Sequence, residues 1–150
     1  MKQVYKIYLD ACCLNRPFDD QNQDRIRMET ESIIILLKNV RKGKIRLIGS
    51  DVLKLEINKT PNPVRKSQLL TLLHYYSKFL PVNEKVKTRS AELAAMGFSA
   101  FDAYHIAFAE KGEVDAFLTT DDKIVTLYSR NSTSVFTKVL NPISWLQEFL

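Results

Sequence analysis

The hydrophobic and polar positions of the first fifty residues predict a strand, a long helix and a second strand. Residues 4–9 (VYKIYL) are rich in β-branched and aromatic residues and stop at Asp10, which predicts a strand that ends on a carboxylate. After a predicted loop, RPFDDQNQ, apolar residues recur at helical spacing from about 25 to 41. The second strand is predicted over 45–49, where the apolar positions again fit an extended chain.

The rest of the chain continues this alternation. Ser50 is the predicted N-cap of a short helix that carries Glu56 and ends before Thr60, because residues that precede proline disfavour the helical conformation. The further predicted elements are a helix over 64–78, a strand over 79–82, a helix ending at Gly97, a helix over 100–111, a strand over 116–119, a helix KIVTLY, a strand over 137–140 and a terminal helix capped by Asn141. Alternating strands and helices predict an α/β fold, a three-layer sandwich with a central, mainly parallel sheet. With 150 residues, we expect a single domain, 1–150, around one apolar core.

Composition excludes several classes of protein. No apolar run approaches the roughly 20 residues that span a bilayer, and the amino-terminal residues do not form a signal peptide, so we expect a cytoplasmic protein without a membrane partner. Cys12 and Cys13 are adjacent, a spacing that closes a disulfide only with severe strain, and we interpret both as buried packing residues. With two histidines and no C-x-x-C pair, a structural zinc site is disfavoured, and any metal should be a hard ion held by oxygen.

The charge balance suits a polyanionic partner and fits an ordinary solvated surface equally well. The chain carries 22 Lys and Arg against 17 Asp and Glu, a net charge of +5. If four of the acids occupy one site, the remaining protein is markedly basic. Arg16, Arg25, Lys42 and Lys44 are the candidates for holding a phosphate backbone.

Three acids are predicted to converge at the carboxyl ends of the strands, where open α/β sheets bind ligands. Asp10 and Asp121 directly follow predicted strands, and Glu56 lies on the helix that leaves the second strand. Each acid also has a local alternative. Asp10 could cap the segment that follows it, and Glu56 could only form a helical pair with Lys59.

Asp102 is a fourth candidate and the most ambiguous one on local grounds. Ser99 and Asp102 fit a capping box, in which the serine is the N-cap and the acid lies three residues later. The surrounding helix is otherwise apolar, and a buried carboxylate needs a cation or several donors, a need that a metal ion satisfies. His105 shares a helix face with Asp102, so it could position a ligand or be a hydrogen-bonded histidine of the helix packing.

The other acids are interpreted as lying outside the site. Asp122 is predicted to be an exposed N-cap of the helix KIVTLY, and Asp115 a loop acid. Glu29 and Glu31 are predicted to be solvated residues of the long helix.

Three segments carry a resemblance to a known family. YLDACCLNRPFDD near the start, SDVLKLEI in the middle and SAFDAYHIAFAEKGEVDAFLTTDDKIV near the end together resemble the PIN-domain nucleases, including the VapC-type toxins of prokaryotic toxin–antitoxin pairs. The likeness covers nearly the whole chain in the family's order. The family's four acids correspond to Asp10, Glu56, Asp102 and Asp121. Many members have Thr or Ser directly after the first aspartate, where Ala11 stands here, so a hydroxyl contact is missing or supplied elsewhere.

The resemblance implies a PIN-like fold and a Mg²⁺- or Mn²⁺-dependent endoribonuclease, in which these four carboxylates are the metal ligands and the catalytic residues. It leaves open one ion or two, and whether Asp122 adds to or replaces Asp121, although Asp121 is favoured. The implied partners are an RNA substrate, a small cognate antitoxin if the protein is a toxin, and a second copy of the chain. The apolar helices around Ile33–Leu37 and Leu69–Tyr76 carry more hydrophobic positions than one buried stripe needs, which fits a homodimer.

Competing classes lack their defining residues. A haloacid-dehalogenase-type phosphatase needs a second aspartate where Cys12 stands, and a dinucleotide-binding enzyme needs a glycine-rich turn, whereas this chain has four glycines in all. The remaining alternative is a non-catalytic PIN-like RNA-binding or regulatory module. Four intact acids argue against it, because an unused acidic cluster would repel both itself and phosphate.

Overall fold

A computed structural model describes residues 4–150. Its strands are β1 (Tyr5–Leu9), β2 (Ile45–Ser50), β3 (Tyr76–Leu80), β4 (Ala116–Leu118) and β5 (Val139–Leu140). Its α-helices are α1 (Ala11–Asn15), α2 (Asp24–Arg41), α3 (Asp51–Asn58), α4 (Pro63–Leu72), α5 (Glu84–Ala95), α6 (Ala100–Lys111), α7 (Asp122–Arg130) and α8 (Pro142–Phe149). Two short 3₁₀ turns, Arg16–Phe18 and Leu73–Tyr75, complete the regular structure of the described residues.

The sheet is parallel throughout, in the order β3-β2-β1-β4-β5. β1 is therefore central, with β2 on one side and β4 on the other. The chain fills one half of the sheet through β3 and then crosses to β4, so the strand order reverses beside β1. Such a reversal opens a crevice at the carboxyl ends of the two strands, where ligands bind in α/β sheets. The predicted three-layer α/β fold with a parallel sheet is confirmed.

Helices cover both faces of the sheet, and β1 contributes to both apolar layers because successive strand residues point to opposite faces. Ile7 and Leu9 pack with residues of α2 and α8, including Leu36 and Trp145. Tyr8 points the other way and packs with residues of α5 and α6, including Phe108. None of the helices within residues 4–150 has the length and apolar character needed to cross a bilayer.

The predicted helix over 64–78 is too long. α4 ends at Leu72, and β3 begins at Tyr76, which pairs with β2 and whose hydroxyl donates to the Leu9 carbonyl at 3.1 Å. Gly49 permits this pairing, because a Cβ there would lie 2.7 Å from the ring of Phe79. Pairing in the sheet thus overrides the helical spacing of these residues, and the predicted strand over 79–82 is displaced toward the amino terminus.

The apolar positions taken as a sign of a dimer are divided between the core and the surface. Ile33 and Leu36 on α2 and Leu69 on α4 are fully buried in the chain's own core. Ile34 is exposed, and Ile35, Leu70 and Leu72 are only partly buried, so the dimer stays a prediction.

Candidate metal centre

One pocket at the carboxyl ends of β1 and β4 brings the four predicted carboxylates together. It has a volume of about 170 Å³ and is lined by Asp10, Ala11, Cys12, Glu56, Asp102, His105, Asp121 and Ile124. The acids come from four separate segments of the chain, and each lies at or near a helix terminus or on a helix beside the sheet edge. The crevice predicted from the strand pattern is therefore where these side chains meet.

Asp10 is the buried acid of the pocket, with 5% of its surface exposed. It is the N-cap of α1, and its Oδ1 accepts from the backbone N–H of Cys13 at 3.1 Å and from the Cys12 thiol at 2.7 Å. Burial raises the pKa of the Asp10 carboxyl well above its usual value. No cationic side chain within the described residues forms a salt bridge with it. Asp10 therefore caps α1, as the local alternative predicts, and it also lines the pocket.

Glu56 is held by a buried chain of hydrogen bonds. Its Oε1 lies 2.9 Å from Nε2 of His105, whose Nδ1 lies 2.6 Å from the hydroxyl of Tyr8. That hydroxyl lies 2.7 Å from Oγ of Ser50, which accepts from the backbone N–H of Leu53 at 3.1 Å. His105 is 2% exposed, so this chain is shielded from water.

The proton positions in this chain follow from its partners. An ionised Glu56 can only accept, so His105 donates from Nε2 and its Nδ1 accepts from the Tyr8 hydroxyl. The Tyr8 oxygen then accepts from the Ser50 hydroxyl, whose own oxygen is occupied by a backbone N–H. In this direction every donor finds one acceptor, and the ring proton that faces Glu56 is on Nε2. His105 is thus hydrogen-bonded within the helix packing and also contacts Glu56, and a positioning role stays a prediction.

Asp102 and Asp121 lie on the more exposed side of the pocket. Asp102 is half-buried in the first turn of α6, and its backbone N–H donates to Oγ of the N-cap Ser99 at 3.3 Å. Burial raises the pKa of Asp102, and the Ser99 hydrogen bond partly offsets that rise. Asp121 is exposed and is the N-cap of α7, accepting from the backbone N–H of Lys123 at 2.9 Å. The prediction that Asp122 is the N-cap is wrong, because the strand ends early enough for Asp121 to take that position.

The donor set of this pocket suits a hard divalent cation. Carboxylate oxygen is the ligand that Mg²⁺ and Mn²⁺ prefer. Within residues 4–150, no three of the four carboxylates bring oxygens within 4.8 Å of one another. Mg²⁺ keeps several waters when it binds to proteins, so a loose set of acids fits an ion that some ligands reach directly and others through water.

The structure corrects the interpretation of Glu29 as a solvated acid. Its side chain is fully buried and accepts from Arg16 Nε at 2.8 Å, Arg25 Nε at 3.2 Å and Asn141 Nδ2 at 2.6 Å. Arg25 also forms a bidentate pair with Asp122, at 2.6 and 2.7 Å. Two of the four cations proposed for a phosphate backbone are therefore engaged within the protein.

The other two proposed cations are at the wrong end of the sheet. Lys42 and Lys44 precede β2, and the Lys44 carbonyl accepts from the first residue of β1, whereas the acids lie at the carboxyl ends. Sequence reasoning missed the cations of a second pocket, of about 830 Å³, which shares Glu56 with the first. Lys59 and Arg65 line it, together with residues that include Phe18. Fifty positions separate Arg65 from its partner Asn15, so no local pattern could place it there.

Comparisons with known proteins bear on the family and the fold. The sequence matches the family model described as PIN domain over residues 7–128. Among solved structures, the chain is similar to FitAcB from Neisseria gonorrhoeae, with 20% identity, 91% of this chain and 97% of that chain covered, and a TM-score of 0.56. It is also similar to VapBC2 from Rickettsia felis bound to a DNA fragment from their promoter, with 14% identity, 90% and 97% coverage and a TM-score of 0.56. Comparison with curated protein sequences gives no significant match.

Proposed function

Because the chain belongs to the PIN domain family, we propose that it is a metal-dependent endoribonuclease that hydrolyses RNA phosphodiester bonds with Mg²⁺ or Mn²⁺. The observation that carries this proposal is the shared pocket of four carboxylates from four segments, beside the central strand of the sheet. The proposed catalytic unit is one PIN-like domain over residues 1–150. Its buried member, Asp10, has a raised pKa and no salt-bridge partner within the described residues, which is the state expected of a ligand that awaits a cation.

Asp10, Glu56, Asp102 and Asp121 are the proposed metal ligands and catalytic residues. The bound ion would supply Lewis acidity toward the phosphate and lower the pKa of a water molecule. Asp10 anchors the site, since backbone and thiol donors fix its carboxylate at the start of α1. Glu56 completes the ligand set in an orientation set by His105, and the exposed Asp121 is suited to the side from which water enters.

The pocket that shares Glu56 is the proposed path for the RNA chain. Arg65 is fixed in it by hydrogen bonds to Asn15, Asp19 and the carbonyl of Phe18. Because Arg65 is ion-paired with Asp19, as Arg16 and Arg25 are with their own acids, it stabilises this wall and is not the proposed phosphate contact. Lys59 supplies the proposed phosphate contact in its place, and the ring of Phe18 offers a surface on which a base stacks. Lys59 therefore replaces Lys42 and Lys44 in this role.

The proposed partners follow the family. Similarity to FitAcB and VapBC2 supports a role as the toxin of a toxin–antitoxin pair, held inactive by a small cognate antitoxin in the cytoplasm. We propose a homodimer as well, since part of the apolar surface of α2 and α4 is not buried in the chain's own core. Sedimentation of the purified chain tests this, and a monomer at micromolar concentration would count against the dimer.

Cleavage of a mixed RNA pool by the purified protein tests the function directly. We expect cleavage with Mg²⁺ or Mn²⁺, none with chelator, and none by Glu56→Gln. Glu148→Gln is a matched control, because Glu148 lines a different pocket beside Tyr5 at the opposite edge of the sheet. A wild-type protein that binds metal and RNA without cutting would favour the non-catalytic module instead.

A further inference from the structure

The acid pocket contains sulfur as well as oxygen. The two cysteines of the chain are adjacent, and a ligand atom from each of Asp10, Cys12 and Cys13 lies within 4.8 Å of the other two. Cys12 is partly exposed and lines the pocket, whereas Cys13 is buried and its thiol donates to the Leu118 carbonyl at 3.3 Å. The packing interpretation does not account for Cys12, and the buried sulfur of Cys13 belongs to the same cluster of ligand atoms. A hard-ion site does not explain the two thiols.

We propose that Asp10, Cys12 and Cys13 form a binding site for a thiophilic divalent cation, Zn²⁺ or Cd²⁺, which shares Asp10 with the hard-ion site. Thiolates select such ions over Mg²⁺ and Ca²⁺, and Zn²⁺ accepts mixed sulfur and carboxylate ligands. On binding, each thiol releases its proton to solvent, and two thiolates with one carboxylate hold the ion while a water molecule completes the shell.

The positions of the donors suit such an ion. Zinc bonds of about 2.0–2.3 Å place the ligands of a tetrahedral ion roughly 3.3–3.8 Å apart. Cys12 Sγ lies 2.7 Å from Asp10 Oδ1, and the sulfur of Cys13 lies within 4.8 Å of a ligand atom of each, so small side-chain rotations would bring the three donors to these distances. The adjacent cysteines cannot relieve their proximity by forming an unstrained disulfide, so both sulfurs remain available as ligands.

Hydrogen bonds already direct the sulfur of Cys12. The backbone N–H of Thr120 donates to Cys12 Sγ at 3.3 Å, and the Thr119 hydroxyl lies 3.4 Å from the same atom. Donors of this kind orient a ligand and stabilise its charged form, as the outer contacts of metal ligands do. Both donors lie in the loop after β4, whereas the cysteines lie in α1. They contact the sulfur of Cys12, the cysteine that lines the pocket.

A shared Asp10 makes the two ions mutually exclusive. A thiophilic ion that takes this carboxylate removes the anchor of the hard-ion site, so Zn²⁺ should inhibit the Mg²⁺-dependent reaction. This consequence rests on the proposed function, whereas the binding site itself does not. Binding must therefore be measured without RNA.

Cadmium titration of the full chain, followed by the ultraviolet thiolate-to-Cd²⁺ charge-transfer absorption, tests the site. We expect the absorption to saturate at one ion per chain and to disappear in Cys12→Ser. Asp10→Asn should keep the absorption but weaken Cd²⁺ binding by roughly tenfold or more. Because Cys13→Ser changes the core and could unfold the protein, reaction of the wild-type thiols with a thiol reagent is the second measurement. Zn²⁺ should slow the modification of the partly exposed Cys12 thiol, and the same concentration of Mg²⁺ should not.

Several results would overturn the site: no charge-transfer absorption in the wild type, one ion shared by two chains, unchanged Cd²⁺ affinity in Asp10→Asn, or no Zn²⁺ protection of Cys12. The proposed function fails separately. If the protein binds Cd²⁺ as described but never cuts RNA, the proposed cation site stands and the proposed ribonuclease function is wrong. If it cuts RNA without the thiolate absorption, the ribonuclease function stands and the cation site is wrong.

Discussion

Glu29 and Asp10 are both buried carboxylates, but they differ in their partners, because within residues 4–150 arginine side chains pair with Glu29 and not with Asp10. Glu29 is fully buried and receives hydrogen bonds from Arg16, Arg25 and Asn141, so its charge is compensated by the protein itself. Asp10 is 5% exposed and receives only a backbone N–H and a thiol, and burial raises its pKa. A buried charge costs free energy unless it is paired. Glu29 is thus part of the scaffold, and Asp10 is left in need of a cation.

The same contrast extends along α2 and the loop after β4. Arg25 joins the two acids that lie outside the pocket, Glu29 and Asp122, and so ties α2 to the segment that carries Asp121. Arg16 and Arg25 thus pair with acids that lie outside the pocket, and the carboxylates of the pocket are not paired with them. If this division is correct, substitutions on the two sides should separate stability from activity.

Asp10→Asn should have the largest effect. Asparagine keeps the shape and removes the charge, so RNA cleavage should fall by roughly a hundredfold or more. The metal-free protein should be at least as stable as the wild type, because an uncompensated buried charge is gone. Asp102→Asn should act in the same direction, and thermal melting with a cleavage assay measures both. A purely capping role for Asp102 predicts the reverse: lower stability of the metal-free protein and normal cleavage.

Metal ions should stabilise the wild type by the next largest amount. An ion that binds only the folded state adds roughly 2.7 kcal/mol at a hundredfold excess over its Kd. Melting with Mn²⁺ and with chelator measures this, and the difference should vanish in Asp10→Asn. It should persist in Glu29→Gln, whose carboxylate lies outside the pocket. Equal loss of the metal effect in both variants would contradict the division between the two acids.

Glu29→Gln should lower the free energy of unfolding by about 1–3 kcal/mol, because one amide replaces the carboxylate that two arginines share. Cleavage at a temperature where the variant is folded should remain near normal. Glu31→Gln is the control, since Glu31 is an exposed acid of the same helix and its loss should cost less than about 0.5 kcal/mol. Denaturant unfolding of the three proteins provides the comparison, and a stable but inactive Glu29→Gln protein would place that residue in the site.

The raised pKa of Asp10 predicts how stability depends on pH. The folded, metal-free protein holds this proton more tightly than the unfolded chain, whose ordinary value is 3.8. Its contribution to stability is therefore complete below that value and is lost as the pH rises through the folded pKa, with a slope of at most about 1.4 kcal/mol per pH unit. Asp10→Asn should remove this slope, as measured by unfolding with chelator present. A slope unchanged by the substitution would assign it to other groups.

Local patterns predicted most of the strands and caps and the acids at strand ends, because those depend on neighbours in the sequence; β3 and the N-cap of α7 are the exceptions. Ser50 caps α3 and Asn141 caps α8 as predicted. Glu29 could not be distinguished from a solvated acid, since its partners Arg16 and Asn141 lie 13 and 112 positions away. The chain of hydrogen bonds from Ser50 through Tyr8 and His105 to Glu56 likewise joins four elements, β2, β1, α6 and α3. The sequence could therefore identify the carboxylates, whereas the pairing of each carboxylate with a cation or a hydrogen-bond donor depends on residues that are distant in the sequence.

Tyr8→Phe tests the smallest effect, the orientation of Glu56 through His105. The substitution removes the hydroxyl between Ser50 and His105 and keeps the ring that stacks on Phe117, so stability should fall by only about 1 kcal/mol. Without that donor the tautomer of His105 is no longer fixed, and the hydrogen bond to Glu56 is weakened.

Loss of such an outer contact weakens metal binding by about 10–100-fold when the contact is direct. His105→Ala should fall in that range, and Tyr8→Phe, one bond further away, should fall below it. Tyr76→Phe is the matched control, because this buried hydroxyl donates to the Leu9 carbonyl at 3.1 Å outside the chain to Glu56. It should lose similar stability and keep the Mn²⁺ affinity of the wild type, as measured by calorimetric titration of the folded proteins. If both tyrosine variants bind Mn²⁺ like the wild type, the hydrogen-bond chain only supports the fold, because a positioning role requires that Tyr8→Phe weaken binding while Tyr76→Phe does not.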